Sequence, residues 1–118
     1  MTDFSARSCS SIPRGTPPLT RAAADEMLLK LDGGWTLGTD AARLRREFRF
    51  PDFFHTMSFV NALAHLANVE DHHPDLEVGY NYCRVYFSTH SVGGLSENDF
   101  ICAAKVDLIP GSEPARAD

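Results

Sequence analysis

Residues 71–99 read DHHPDLEVGYNYCRVYFSTHSVGGLSEND, and this stretch contains two adjacent runs of alternating apolar and polar residues. The apolar positions are Leu76, Val78 and Tyr80 in the first run and Cys83, Val85 and Phe87 in the second. A period of two predicts a strand with one buried face. The runs are separated near Asn81, so we predict two neighbouring antiparallel strands. Pro74 keeps the turn before them from being helical.

A loop and a helix are predicted directly after these strands. His90 closes the second strand, and Gly93 and Gly94 lie in the loop over residues 91–95. Ser96, with Asp99 three residues later, resembles a capping box in which Asp replaces the usual Glu. We therefore predict a helix over residues 97–106.

A longer helix is predicted on the other side of the stretch. Asp52 is a suitable N-cap for a helix over residues 53–68. Ten of those residues are apolar, and they are spread widely around the helix. The sequence therefore predicts that this helix is largely covered.

A hairpin and a first helix are predicted before that. Over residues 44–50, the positions of Leu44, Arg46, Phe48 and Phe50 alternate with a charged set, which predicts a strand with one buried side. Residues 35–37 form its partner across a short loop that contains glycine. Residues 21–31 have apolar residues at helical spacing behind Thr20, a suitable N-cap.

The predicted order is helix, two strands, helix, two strands, helix. This order is typical of an α+β fold, in which a four-stranded antiparallel sheet carries three helices on one face. Residues 1–18 and 110–118 have scattered apolar residues without a period, and we predict a disordered N-terminal tail and a flexible C-terminal tail. One domain remains over residues 19–109. A domain that small is marginally stable alone, so we expect self-association.

Composition excludes several classes of protein. The chain has 118 residues, no apolar run long enough to span a membrane, and no apolar segment at its start like that of a secretory signal. A formal charge of −5 argues against direct nucleic-acid binding. Three widely spaced cysteines give neither a disulfide framework nor a zinc signature, and they fit a reducing, cytoplasmic setting.

Histidines are the candidates for chemistry. His72 and His73 open the turn after the long helix, and His90 ends a strand. Histidine exchanges protons near neutral pH, so two of them across a small cleft can act as acid and base. Residue types alone leave two alternatives open. The histidines could be solvated and have no chemical role, or they could form a zinc site together with a carboxylate.

The spacing of these residues is more specific than their types. Asp71-His72-His73-Pro74 is followed by five residues and Tyr80, by nine residues and His90, and by eight residues and Asp99. This pattern resembles the signature of the pterin-4a-carbinolamine dehydratases, which include 4a-hydroxytetrahydrobiopterin dehydratase and dimerisation cofactors. Similar flanking motifs are Gly34-Trp35, Ser88-Thr89-His90 and Gly94-Leu95-Ser96-Glu97-Asn98-Asp99. The resemblance covers residues 19–107.

The resemblance implies a reaction and a set of site residues. The expected reaction removes water from 4a-hydroxytetrahydropterin to give quinonoid dihydropterin, which recycles tetrahydrobiopterin without a metal or organic cofactor. His72 and His90 are the implied acid and base, and His73 orients the pterin. The implied substrate-binding residues are Asp71, Ser88, Thr89, Asp99 and Asn68. Dimers that join sheets edge to edge, or tetramers, are also implied.

One position departs from the family pattern. The residue four before His72 is often acidic in the family, and here it is Asn68, which forms hydrogen bonds but carries no charge.

Some relatives are binding modules rather than enzymes. The alternative function is therefore a dimerisation cofactor for a transcription factor, or an assembly factor for RuBisCO in α-carboxysomes. A hydroxylase or RuBisCO would then be a protein client.

Overall fold

The computed structural model describes residues 3–112, and its helices and strands follow the predicted α-β-β-α-β-β-α order. The helices are α1 (Arg21–Leu28), α2 (Phe53–Glu70) and α3 (Glu97–Val106), and the strands are β1 (Thr36–Leu37), β2 (Leu44–Arg49), β3 (Asp75–Val78) and β4 (Tyr82–Phe87). The α+β fold with a four-stranded antiparallel sheet is confirmed. None of the helices within residues 3–112 is long and apolar enough to cross a membrane.

The sheet has the strand order β1-β2-β4-β3, and every neighbouring pair is antiparallel. Phe48 of β2 is opposite Cys83 of β4, and both side chains face the buried side of the sheet. The other side carries charged pairs, such as Arg84 Nε donating to Glu47 Oε1 at 2.9 Å. One face therefore packs against helices, and the other faces away from the core.

Several strand and helix ends differ from the prediction, and α2 continues to Glu70, two residues past its predicted end. The first helix ends at Leu28 instead of Leu31. The third strand ends at Val78 instead of Tyr80, because Gly79 N–H donates to the Tyr82 carbonyl and starts the hairpin turn there. The fourth strand ends at Phe87, so His90 begins a separate 3₁₀ turn.

The prediction that α2 is largely covered is wrong for this chain. Its buried side chains form one stripe at helical spacing, which consists of Thr56, Phe59, Leu63 and Ala67. Large apolar side chains elsewhere on the helix are exposed, namely Phe53, Phe54 and Val69. The reason is that α2 contacts β4 and α3 along one side only. Apolar residues on several sides of α2 therefore did not indicate that the single chain buries those sides.

The N-terminal segment, residues 3–18, also differs from the predicted disordered tail. Phe4 is buried in a 3₁₀ turn, with its ring centroid 6.1 Å from that of Phe100. Further along, Asn98 Nδ2 donates to the Ser10 carbonyl, and Leu19 N–H donates to the Leu95 carbonyl. The partners of these residues are distant in the sequence, so local sequence patterns could not predict the contacts. Residues 113–118 of the predicted C-terminal tail lie outside the described residues.

Phe4→Ala should loosen this segment. Truncating a buried aromatic ring removes an apolar contact that attaches residues 3–18, while the sheet core keeps its own contacts. We expect faster tryptic cleavage after Arg7 and Arg14, measured under native conditions. Phe54→Ala is the matched control, because that ring is 74% exposed. Equal cleavage rates for the two variants would contradict the attachment by Phe4.

A buried ion pair links β2 to the end of α3. Arg46 Nη1 donates to Asp107 Oδ1 at 2.7 Å, and both side chains are less than one tenth exposed. Trp35 Nε1 donates to the same carboxylate at 2.9 Å. Burial raises the pKa of Asp107 to about 6, against the lowering effect of Trp35 and Arg46. The arrangement connects three parts of the chain through one carboxylate.

Candidate active site

His72 occupies a fixed position at the end of α2. Asp71, which follows the helix, adopts a left-handed conformation with φ of 52°. This conformation ends the helix, and His72 N–H donates to the Ala67 carbonyl at 3.2 Å. The imidazole ring stacks on Phe87 of β4, with centroids 6.0 Å apart and planes 8° apart. Backbone and ring contacts together aim the side chain into the site.

Asp99 is the partner of His72. Asp99 Oδ1 lies 2.6 Å from His72 Nε2, and the carboxylate is fully buried. Its second oxygen, Oδ2, accepts from Thr89 Oγ1 at 2.8 Å and from Ser96 N–H at 2.9 Å. The Ser96 contact is the carboxylate half of the predicted capping box. Asp99 therefore begins α3 and holds His72 with the same side chain.

The loop over residues 89–94 places Thr89 against this carboxylate. Thr89 N–H donates to the Gly94 carbonyl at 2.7 Å, and the two residues form an isolated β-bridge. Gly93 closes the turn with φ of 70°, a left-handed conformation that favours glycine. Thr89 Oγ1 also lies 2.7 Å from Ser96 Oγ. The hydroxyl of Thr89 thus has partners on both sides, and it positions Asp99.

The environment of His72 favours its protonated form. Burial lowers the pKa of His72, but the hydrogen bond and the negative charge of Asp99 outweigh it, so the pKa lies above its usual value. Because Asp99 occupies Nε2, the Nδ1 atom is the one that can exchange a proton with another molecule. The pair is suited to proton transfer.

The other predicted site residues are placed less tightly. His73 is exposed, and its Nε2 lies 3.1 Å from Asn68 Oδ1. His90 is also exposed, at the start of the 3₁₀ turn that follows Thr89. Ser88 is half-buried just after β4, and Asp71 is exposed beside His72. Asn68, at the position that departs from the family pattern, therefore contacts His73 and not His72.

Two further residues belong to this surrounding and were not predicted for it. Phe87 was predicted as a core residue of a strand, and it also forms the platform under His72. Cys9 was placed in a disordered tail, yet its charge contributes to the raised pKa of His72. The alternation of residues in β4 predicts that Phe87 points inward, but it does not predict that His72 stacks on its ring. No local sequence pattern predicts that Cys9 lies near His72.

Two cavities lie beside the N-terminal segment. A cavity of about 300 Å³ lies between the N-terminal segment and the start of α3, and its lining does not include His72, His73 or His90. A smaller cavity of about 170 Å³ is lined by Cys9, Ser10, Ser11, Glu70, Asp71 and Asn98. Across residues 3–112, no group of three His, Cys, Asp or Glu side chains is arranged to hold a metal ion.

Asp99→Asn should lower the pKa of His72. Asn keeps a side-chain oxygen for Ser96 but removes the charge that favours imidazolium. The pKa is measured by NMR titration of the His72 ring proton, with Asp71→Asn as control because Asp71 contributes least to the shift. The wild-type pair should stabilise the fold below about pH 6.5, and this contribution should be lost as pH rises through the folded pKa. An unchanged titration in Asp99→Asn would contradict the pairing.

Comparison with known proteins identifies the family. The family model described as "Pterin 4 alpha carbinolamine dehydratase" matches residues 17–109. A protein of Nitrosomonas eutropha named "Putative pterin-4-alpha-carbinolamine dehydratase" is 50% identical over 107 residues, which cover 91% of this chain and 93% of the relative. A Legionella pneumophila protein of the same name is 48% identical, with 91% and 95% covered.

Solved structures agree with the sequence comparison. The crystal structure of a transcriptional coactivator/pterin dehydratase from Brucella melitensis matches with a TM-score of 0.74 and 35% identity, and the match covers 80% of this chain and 99% of that one. A pterin dehydratase-like protein identified as a RuBisCO assembly factor in the α-carboxysome matches with a TM-score of 0.59 and 25% identity, over 70% and 95%. Given the family model, the relatives and the shared fold, this chain belongs to the pterin-4a-carbinolamine dehydratase family.

Proposed function

We propose that this protein catalyses the dehydration of 4a-hydroxytetrahydropterin to quinonoid dihydropterin. The observation that carries the proposal is the short contact between His72 and the fully buried Asp99. It supplies a histidine that is oriented, half-buried and poised to hold a proton. Membership of the dehydratase family supports the same reaction.

The reaction needs two proton transfers. The C4a–O bond breaks as the hydroxyl leaves, and hydroxyl is a poor leaving group until an acid protonates it. A ring N–H then loses its proton as the new double bond forms, so one molecule of water leaves and no electrons are exchanged. The balance requires neither a metal nor an organic cofactor.

The site residues divide into proton-transfer and positioning groups. We assign proton exchange to Nδ1 of His72 and to His90, and contact with the pterin ring to His73, oriented by Asn68. We assign positioning roles to Asp99 and Thr89, because both are buried, Asp99 contacts His72 and Thr89 contacts Asp99. Asp71 and Ser88 are expected to line the pterin edge.

The test is a direct rate measurement. The hydroxylated pterin is generated in place by an aromatic amino-acid hydroxylase, and its loss is followed by absorbance with and without the protein. We expect an acceleration over the spontaneous reaction that increases linearly with protein concentration. No acceleration by a folded sample, at several buffer concentrations, would overturn the proposal.

A second candidate function is partner binding, alone or together with self-association into dimers or tetramers. The observation that favours it is the exposed apolar surface of α2, with Phe54 74% and Val69 65% exposed. One structural relative is a RuBisCO assembly factor, and another is called a transcriptional coactivator. Under this proposal, Phe54→Asp should lower the mass of the complex or oligomer measured by light scattering, and His72→Ala should leave that mass unchanged.

A further inference from the structure

Two thiols from distant parts of the chain lie side by side in this structure. Cys9 Sγ, in the N-terminal segment, is 3.4 Å from Cys102 Sγ in α3, although the two residues are 93 positions apart in the sequence. Both cysteines are free. A disulfide bond is about 2.05 Å long. The sulfur atoms are therefore close enough to bond after a small side-chain movement.

Hydrogen bonds on either side of Cys9 hold this arrangement in place. Cys9 N–H donates to Glu70 Oε1 at 2.8 Å, at the end of α2. Ser10 N–H donates to Asn98 Oδ1 at 3.2 Å, and Asn98 Nδ2 donates back to the Ser10 carbonyl at 2.8 Å. The segment is anchored to two helices, so the two sulfur atoms stay within reach of each other.

The two thiols differ in access and in charge. Cys9 is partly exposed and lines the cavity of about 170 Å³, whereas Cys102 is buried. The hydrogen bond from Cys102, together with the charge of His72, lowers the pKa of Cys9, while the same hydrogen bond and burial raise the pKa of Cys102. Reactivity of a cysteine follows its thiolate fraction and its exposure. Cys9 is therefore the thiol that a reagent in solution meets first.

We propose that Cys9 and Cys102 are a reversible oxidation site, at which a hydroperoxide converts the pair into an intramolecular disulfide. The Cys9 thiolate attacks one peroxide oxygen, the O–O bond breaks, and Cys9 becomes a sulfenic acid while water or an alcohol leaves. Cys102 then attacks the Cys9 sulfur, the S–O bond breaks, and the sulfenic oxygen leaves as water. Two thiols lose two electrons in total, and the peroxide is reduced by two. A dithiol reductant reverses the step by exchange.

This bond would tie the N-terminal segment to α3 one turn after Asp99. Closing a loop of 93 residues restricts the unfolded chain strongly, so oxidation should stabilise the fold. Cys83 takes no part, because it is fully buried in β4 and, within residues 3–112, its sulfur contacts no other thiol. The chain therefore contains its own unreactive reference cysteine.

The test treats the folded full-length chain with a small excess of hydrogen peroxide. We expect the free thiols counted after denaturation to fall from three to one, and the intact mass to drop by two hydrogen atoms. Peptide mapping should show Cys9 joined to Cys102, and the Tm should rise by roughly 10 °C and return after reduction. Cys9→Ser removes only a partly exposed sulfur and should fold, and it should show none of these changes.

A second variant keeps the mechanism testable. In Cys102→Ala, Cys9 has no resolving partner, so we expect trapping of its sulfenic acid by dimedone. Three outcomes would overturn the proposal: three free thiols after peroxide treatment of the wild type, oxygen added to Cys9 with no bond to Cys102, or Cys9 linked between two chains.

Discussion

His72→Ala should lower kcat for pterin dehydration by about 10²–10⁴-fold, which is the range that a positioned acid or base contributes. His72 is the histidine that Asp99 orients through a 2.6 Å contact, and its pKa is raised by that carboxylate. Without the imidazole, water must exchange the proton, with neither the position nor the proton affinity of His72. The measurement is the catalysed rate above the spontaneous rate, at saturating pterin.

Two further variants separate proton transfer from structure. His72→Gln keeps an amide N–H that can donate to Asp99, so the buried carboxylate retains a partner, but the amide cannot exchange protons. We expect the same loss of kcat in His72→Gln. His65→Ala is the matched control, because His65 is exposed on α2. A His72→Gln variant with the wild-type rate would show that His72 acts only through its hydrogen bond.

Arg46→Met should destabilise the fold by about 3–5 kcal/mol, because it leaves the buried Asp107 carboxylate without its ionic partner. Met retains most of the volume of the arginine stem, so the loss reports the charge. Arg49→Met on the same strand is the matched control. Its ion pair with Glu47 is just as short, at 2.7 Å, but Arg49 is 57% exposed, so we expect less than about 1 kcal/mol.

The pH dependence of the Arg46→Met variant gives an independent check. The folded-state pKa of Asp107 is already raised to about 6, so the folded chain binds this proton more tightly than the unfolded chain does. Stability should then increase as pH falls through 6 towards the unfolded value. Removing Arg46 strengthens this trend, so the variant should lose more stability at pH 8 than at pH 5 in urea titrations. A pH-independent loss would contradict a charge-based cause.

The sequence predicted the parts of the fold that depend on local patterns. Alternation over residues 83–87 and the Ser96 and Asp99 pair defined β4 and the start of α3, because side-chain period and capping act within a few residues. The family spacing also brought His72 and Asp99 into one hypothesis. Their direct contact, across 27 residues, needed the structure.

Features that depend on distant contacts could not be read in this way. Phe4 is buried by Phe100, and Arg46 by Asp107, and neither partner is visible in a local window. The exposed side of α2 differs from these cases, because there the local pattern predicted burial and no distant contact in the described part of the chain provides it. An apolar residue such as Phe54 indicates a buried position only when something packs on it, and within residues 3–112 its ring stays exposed. Local patterns therefore predicted elements, and long-range packing decided their surroundings.

Asp99 places two structural constraints on one side chain. A substitution that shortens it loses the cap of α3 and the orientation of His72 together, so such a change is pleiotropic. The pKa of His72 can be changed separately at Thr89. Removing the Thr89 hydroxyl takes one hydrogen bond from Asp99, while the carboxylate still accepts from Ser96 and contacts His72. Anyone re-engineering the acidity of this histidine would begin at residue 89 and leave residue 99 untouched.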